Sequence, residues 1–406
     1  MVVGWDKIKL IDHSTLKARI GWQGLTTAEY LDEGEAFLVT GTDFVNGAIK
    51  WNTCHYVDKF RFDQDTNIQL RNGDILITKD GTIGKVAFVE GLSKKATLNS
   101  GVFVLRPKDT TYDSRYMYYV LLSDTFLDFL SKLSAGSTIT HLYQKDFVTF
   151  ECEIPKDINE QCRIAEVLSD TDALISALEK LIDKKRAIKQ GTMQELLTGK
   201  RRLDGFNGEW VEKSIEDTGK ICIGLTHTPT YVNTGVPFLS VKDVKNNKIN
   251  FSNVKYISYD EYSSISEASK PKRGDIIFGR VGTLGNPCIV DFDFDVCIFV
   301  SLGFIKVYKE HCNKFIALWL ASEEFVQFVN SKIAGSSQKN LNTGWLSEFM
   351  IKLPPTLEEQ TAIASILTDM DAEIAALNTK IDKLRNIKQG MMSELLSGRI
   401  RLKEEV

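Results

Sequence analysis

The sequence predicts a mixed α/β (α+β) protein in which two duplicated globular domains alternate with two long helices that pack as an antiparallel coiled coil. A stretch that begins at Glu160 is repeated from Glu359, and about 26 of 44 aligned positions are identical. Apolar residues keep a heptad-like spacing through both copies. Upstream of each copy, the β-rich runs GDILIT and GDIIFG follow Gly-Asp turns. This self-similarity indicates internal duplication rather than shared composition.

The predicted order along the chain is domain, helix, domain, helix. We place the first domain at 1–156, the first helix at 157–203, the second domain at 204–355 and the second helix at 356–406. The first helix begins with the motif D-x-x-E, whose glutamate is Glu160, and the second begins with T-x-x-E, whose glutamate is Glu359. Both motifs are typical of capping boxes. A twofold relation between the copies would make the helices antiparallel. The apolar residues expected to pair them are Leu168, Ile175, Leu178, Ile182, Leu367, Ile374, Leu377 and Ile381.

Composition excludes several classes of protein. The 406 residues carry a net charge of −4, which argues against a general polyanion binder while allowing a local basic surface. No apolar run approaches the roughly 18 residues of a membrane span, and no secretory segment opens the chain, so we expect a cytoplasmic protein. The seven cysteines form no CxxC pair, which predicts buried, reduced thiols.

Motifs of catalysis are missing from the sequence. There is no GxxxxGK[ST] phosphate loop, no GxSxG, no HExxH and no glycine-rich cofactor loop. The five histidines have no spacing suited to a metal ion. We therefore expect no catalytic residues, no metal site and no cofactor in this chain.

Polar loops are where the two copies differ most. SAGSTITHLYQK and AGSSQKNLNTGW occupy equivalent places, and their amide, hydroxyl and basic side chains are the types that contact base edges and phosphates. The same residue types also form turns and helix caps, and that alternative stays open for each of them. The candidate contact residues are Lys79, Lys85, Ser137, Thr138, His141, Gln144, Lys242, Arg280, Ser336, Ser337, Gln338, Lys339, Asn340 and Asn342.

The C-terminal halves of both predicted helices are strongly basic. Lysine and arginine outnumber acidic residues between Lys180 and Arg202, and the pattern recurs after Lys380. One interpretation is a solvated helix face that favours the negative end of the helix dipole. The recurrence of the whole pattern favours a shared role.

The order of these motifs resembles the DNA-specificity subunit of type I restriction-modification systems. The resemblance rests on GDILITKDGTIGK and GDIIFGRVGTLGN, each followed by an EQxxIAxxL helix start and an IKQGxMxELLxG helix end, and it covers essentially the whole chain. It implies that each domain recognises one half of an asymmetric bipartite DNA site. One departure is that Asn286 stands where the first copy has Lys85, so a basic role does not carry over.

The resemblance also implies partners. The helices would set the spacer between half-sites and dock two modification (methyltransferase) subunits, and restriction (translocase and endonuclease) subunits would join them. S-adenosylmethionine, ATP and Mg would belong to those partner subunits.

Three other classes remain open on the sequence alone. The chain could be the specificity module of another restriction-modification architecture, which co-purifying chains would reveal. It could be a non-catalytic coiled-coil adaptor, which would bind no specific DNA even with its partner. A stand-alone nuclease or methyltransferase conflicts with the missing motifs and would be active as a purified single chain.

Overall fold

The computed structural model describes residues 2–134, 141–245, 247–267, 270–334 and 340–402. The chain forms two compact units, residues 1–179 with 379–406 and residues 180–378. The first long helix spans Ile158–Leu197 and the second spans Leu357–Leu395, so each helix contributes to both units. The compact units divide inside the helices rather than at their ends, so they do not test the predicted domain boundaries. Those boundaries remain a prediction.

The first unit combines mixed sheets with short helices. A six-stranded sheet has the order β2-β10-β7-β8-β5-β4, a three-stranded sheet the order β6-β3-β9, and β1 pairs with β11. The strands are β1 Trp5–Lys9, β2 Ser14–Ala18, β3 Ala36–Val39, β4 Phe44–Val45, β5 Ala48–Ile49, β6 His55–Val57, β7 Ile75–Thr78, β8 Val86–Phe88, β9 Ala96–Leu98, β10 Val102–Pro107 and β11 Glu151–Pro155. The short helices are Lys59–Asp63, Ser114–Leu122, Asp124–Ser134 and Gln144–Phe147.

The second unit repeats this plan, but its strands are divided differently among the sheets. Its four-stranded sheets have the orders β13-β22-β19-β20 and β14-β18-β15-β21, while β12 pairs with β23 and β16 with β17. The strands are β12 Val211–Ser214, β13 Gly219–Ile223, β14 Tyr231–Val232, β15 Val236–Leu239, β16 Val244–Lys245, β17 Lys248–Ile249, β18 Lys255–Ile257, β19 Ile276–Gly279, β20 Gly285–Ile289, β21 Cys297–Ile298, β22 Leu302–Val307 and β23 Met350–Leu353. The short helices are Tyr259–Ser264, Asn313–Leu320 and Glu323–Ile333.

The Gly-Asp turns enter equivalent strands, as predicted. Asp74 accepts a hydrogen bond from the Arg71 amide at 2.8 Å before β7, and Asp275 accepts one from the Lys272 amide at 2.9 Å before β19. The preceding glycines have φ near +94° and +93°, a conformation that disfavours residues with a Cβ. The repeated GD pair therefore encodes the same turn twice.

Each unit's core contains the beginning of one long helix and the end of the other. In the first unit, Ile164 and Met392 share a core with the sheet and short helices. In the second unit, Ile363 and Met193 do the same. The helices therefore run antiparallel within each unit, as the duplication predicts.

Ion pairs confirm this direction and explain the basic helix halves. In the first unit, Asp172 pairs with Lys388 at 2.6 Å, and Glu179 pairs with Arg385 at 2.6 Å. In the second unit, the pairs are Lys189–Asp371 and Lys185–Glu373, both at 2.6 Å. The basic half of each helix thus contacts the acidic half of the other instead of forming only a solvated face. Exposed pairs of this kind contribute about 0–1 kcal/mol each and mainly favour one register.

The predicted capping boxes are wrong in one respect. Thr356 does cap the second long helix, since its hydroxyl accepts a hydrogen bond from the Glu359 amide at 3.2 Å. The Glu359 carboxylate does not return that bond. It is fully buried and pairs with the Arg202 guanidinium at 2.9 and 2.8 Å, and Glu160 pairs with Arg401 in the same way in the first unit.

The glutamine beside each glutamate fastens its long helix to the adjoining domain, a role that the sequence analysis missed. Gln161 is fully buried, accepts a hydrogen bond from the Asp113 amide at 2.8 Å, and donates to the carbonyls of Thr111 and Pro155 at 3.0 and 2.8 Å. Gln360 accepts from the Cys312 amide at 2.9 Å. The recurrence of Glu-Gln at both helix starts was the available signal.

The predicted helix-pairing residues are buried to different degrees. Ile175, Leu178, Ile182 and Ile381 are buried, whereas Ile374 and Leu377 are half-buried. Leu168 and Leu367 are completely buried, but they lie in the domain cores rather than in the helix seam alone. Near the helix starts, the heptad stripe therefore attaches the helices to the domain cores, and the helix-pairing role of its middle residues remains a prediction.

Six of the seven cysteines are buried, as predicted, and Cys162 is exposed. Burial raises the pKa of Cys152 to about 12, which keeps it a thiol. Within the described ranges, no cluster of His, Cys, Asp and Glu could hold a metal ion. No helix in those ranges has the length and apolar content that crossing a bilayer requires.

Candidate nucleic-acid interface

The same backbone frame holds Lys79 in the first unit and Arg280 in the second. The Lys79 amide donates to the Gly101 carbonyl at 2.9 Å, and the Lys79 carbonyl accepts from the Leu142 amide at 2.8 Å. The Arg280 amide donates to the Ser301 carbonyl at 2.8 Å, and its carbonyl accepts from the Leu341 amide at 2.7 Å. We call this pairing the recognition frame. It places two different cations at equivalent positions.

In the first unit, the recognition frame brings together Lys79 and His141. The Lys79 ammonium lies 5.6 Å from the centre of the Phe103 ring, and the His141 imidazole contacts the carboxylate of Asp80. Lys85, exposed beyond the glycine turn, donates its backbone amide to the Thr78 hydroxyl at 2.9 Å. These side chains can offer positive charge and hydrogen-bond donors to a ligand.

Gln144 lies at the start of the short helix that follows His141. Its side chain is exposed and donates a long hydrogen bond, 3.5 Å, to the carbonyl of Leu16. The structure therefore places it close to the recognition frame along the chain, with most of its amide open to solvent. Its role as a contact residue remains a prediction.

In the second unit, the side chain of Arg280 is half-buried. Its Nη1 donates to the Val300 carbonyl at 3.1 Å, and burial lowers the pKa of the guanidinium below its ordinary value. Asn340 is exposed, and its backbone forms an isolated antiparallel β-bridge with Val281. Asn342 caps the following turn, because its side chain accepts a hydrogen bond from the Gly344 amide at 3.0 Å. For Asn342, the structure thus supports the alternative role, that of a turn and cap residue.

Six predicted contact residues lie outside the described residues. They are Ser137, Thr138, Ser336, Ser337, Gln338 and Lys339. Ser137 and Thr138 lie four and three residues before the described His141, and Ser336 to Lys339 directly precede the described Asn340. Their roles remain predictions.

Lys242 belongs to a basic hairpin next to the recognition frame. The lysine hairpin, described over 241–245 and 247–250, exposes Lys242, Lys245 and Lys248, and none of the three forms an ion pair with a described residue. The sequence analysis missed Lys245 and Lys248, although K-x-x-K-x-x-K spacing was a visible signal. The equivalent stretch of the first unit, 41–50, contains a single lysine, Lys50, which stands where the second unit has Asn250.

Asn286 explains why the second copy lacks the lysine found at position 85. Its Nδ2 donates to the Val244 carbonyl at 3.1 Å, and its Oδ1 accepts from the Asn247 amide at 2.9 Å. Asn286 also has a φ of +51°, which asparagine tolerates better than most residues. It fastens the lysine hairpin to the glycine turn rather than offering a cation.

Comparison with known proteins matches residues 25–190 and 207–386 to the type I restriction modification DNA specificity domain. The MjaVIII specificity subunit of Methanocaldococcus jannaschii is 27% identical over 353 residues, covering 83% of this chain and 81% of that protein. The EcoBI specificity subunit of Escherichia coli is 22% identical, covering 80% of this chain and 73% of that subunit. The two matched regions correspond to the two copies found in the sequence.

Solved structures share the fold. The type I restriction-modification S subunit from M. genitalium aligns with a TM-score of 0.60 at 15% identity, over 96% of each chain. A chain from a structure of type I R-M complex assembly aligns with a TM-score of 0.56 at 15% identity, over 97% of this chain and 98% of that one. The family's domain is matched twice and covers most of this chain. The chain therefore belongs to the family of type I restriction-modification DNA specificity subunits.

Proposed function

We propose that each unit of this specificity subunit binds one half of an asymmetric bipartite DNA site. The observation that carries this proposal is the recognition frame, which is retained in both units while its cation changes from Lys79 to Arg280. A conserved scaffold with different surface residues suits two half-sites of different sequence. The polar loops preceding His141 and Asn340 would supply further contacts.

The partners proposed for this chain are two modification subunits, which dock on the long helices, and restriction subunits. The modification subunits would supply S-adenosylmethionine and methylate adenine, and the restriction subunits would use ATP and Mg to translocate and cleave DNA. The names of the relatives as restriction enzyme specificity subunits support this division of labour. A different restriction-modification architecture would be recognised by different co-purifying chains.

The test of this function is dependence on a partner. Alone, the chain should bind DNA weakly and transfer no methyl groups. With modification subunits, it should bind one bipartite site tightly and direct methylation there, which sequencing of methylated positions would map. Methyl transfer by the purified single chain would contradict the proposal, and so would a complex that binds all DNA sequences equally.

The two half-sites should be separable by mutation. Replacing Gln338, Lys339 and Asn340 by alanine should weaken recognition of only the half-site bound by the second unit. The loss should be about 1–3 kcal/mol for each residue that makes a bidentate base contact. Binding to duplexes with one half-site scrambled at a time measures the effect. An equal loss at both half-sites would assign these residues to the phosphates or to the fold.

The lysine hairpin should contact phosphates. Replacing its three lysines by glutamine should lower the slope of log K against log salt by about 0.9 for each lost phosphate contact, with the target sequence unchanged. The matched control replaces three other exposed lysines of the same unit, Lys309, Lys314 and Lys352. An identical slope change in both variants would mean that only net charge matters.

A further inference from the structure

Arg280 is a half-buried cation without a carboxylate partner among the described residues. One hydrogen bond, from Nη1 to the Val300 carbonyl, holds its guanidinium, and its Nε is buried with no partner. An unpaired buried donor in a charged group is destabilising. A group of this kind in a folded protein requires an explanation, such as a role in binding.

Two other arginines, the buried Arg19 and the half-buried Arg106, show how this protein satisfies such groups. Arg106 pairs with Asp74 at 2.6 Å and 2.7 Å. Arg19, which also lacks a carboxylate contact, donates from Nε to the Leu98 carbonyl at 2.7 Å and from Nη2 to the Thr97 hydroxyl at 3.2 Å. Arg280 is satisfied in neither way.

The sheet next to Arg280 is shaped to admit its side chain. A Cβ added at Gly303 would lie 2.9 Å from the Arg280 Cδ and 2.6 Å from the ring of Phe278, its partner across the strands. The first unit has Phe103 at the equivalent position, beside Lys79. Three positions therefore differ between the copies, namely Ile77 and Phe278, Lys79 and Arg280, and Phe103 and Gly303, while the backbone frame around them is the same.

We propose that Arg280 recognises a guanine in the half-site bound by the second unit, donating from its Nη atoms to O6 and N7 of the base. The inference rests on the proposed function and identifies the base that this unit selects. The Val300 carbonyl and the recognition frame fix the guanidinium, which suits the two acceptors on the major-groove edge of guanine. Lys79 cannot present that planar pair of donors.

The local arrangement favours a base over a phosphate. Phosphate contacts carry no sequence information, and a lysine such as Lys79 already supplies a cation at this position, so a phosphate contact would not require arginine in its place. The exposed lysine hairpin is also joined to the same frame, because the Val241 amide donates to the Ser301 hydroxyl at 3.2 Å. That hairpin can supply the phosphate contacts beside Arg280.

The experiment uses the full chain in complex with its modification subunit and a target mapped by methylation. Arg280→Lys keeps the charge but removes the paired donors, and it should weaken binding about 10- to 100-fold. At one G·C pair of the second half-site, the variant should bind duplexes with any base pair equally well. Its selectivity for guanine at that position would then be lost, while selectivity at the other positions would remain. Replacing that guanine by 7-deazaguanine should weaken wild-type binding and leave the variant unaffected.

Two further variants keep the test interpretable. Arg273→Lys, at an exposed arginine paired with Asp293 in the same unit, should bind as tightly as wild type. Gly303→Ala should displace the arginine and relax selection at the same base pair, with thermal unfolding reporting whether the unit stays folded. A folded Arg280→Lys complex that keeps full selectivity would overturn the assignment. A uniform loss with a lower salt slope would overturn it in favour of a phosphate contact. Absence of any wild-type target would instead contradict the proposed function.

Discussion

Replacing Gln161 by alanine should destabilise the first unit by about 3–5 kcal/mol. The substitution leaves three backbone groups without their partner, the Asp113 amide and the carbonyls of Thr111 and Pro155. Each unsatisfied buried group costs about 1–3 kcal/mol, and the Gln161 side chain itself is inaccessible to solvent. Urea unfolding of the full chain, with hydrogen exchange to identify the unit that opens, measures the loss.

Matched substitutions make this prediction specific. Gln194→Ala, at an exposed position of the same helix, should change stability by no more than about 0.5 kcal/mol. Gln360→Ala in the second unit should cost less than Gln161→Ala, because among the described residues the Gln360 side chain bonds two groups, the Cys312 amide and the Pro354 carbonyl, instead of three. If Gln161→Ala matches the Gln194 control, water must replace the lost amide, and the glutamine does not fasten the helix.

Features encoded by neighbouring residues were predictable from the sequence. The long helices follow Pro155 and Pro354 and end before Gly199 and Gly398, where proline and glycine restrict or release the backbone. Duplication then identified equivalent positions, such as the turns that enter β7 and β19. Both depend on local conformational preferences or on direct alignment of the two copies.

Features that depend on distant residues were not predictable. Glu359 matched a local capping pattern, but the fold brings Arg202 to it, and a charged hydrogen bond to a buried carboxylate outweighs a cap. The pocket that admits Arg280 depends on the register of β19 against β22, which places Gly303 opposite Phe278. One sequence shows neither the ion pair nor the register.

Adding one heptad to both long helices should lengthen the nonspecific spacer between the half-sites by about three base pairs. Seven residues add about 10 Å at 1.5 Å per residue, and base pairs rise about 3.4 Å each. A heptad preserves the apolar seam better than other insertions of similar length. The expected result is a pair of unchanged half-site sequences separated by more bases, as mapped by methylation.

The helix register determines where the insertions belong. Alignment of the repeats pairs Ile182 with Ile381, which suggests insertion after each of them. The helices are antiparallel, however, and in the second unit Lys185 and Lys189 pair with Glu373 and Asp371. A heptad after Ile182 therefore faces one placed after Leu377, and this combination keeps the ion pairs on both sides.

A heptad in only one helix is the control, because it has no matching segment and should lower stability without producing a uniform new spacer. The paired insertion must remain folded and direct methylation for its spacer to be informative. Under those conditions, a longer spacer means that the helices set the distance between half-sites. An unchanged spacer would mean that DNA bending or the partner subunits set it, since the helices would then have lengthened without moving the positions at which DNA is recognised.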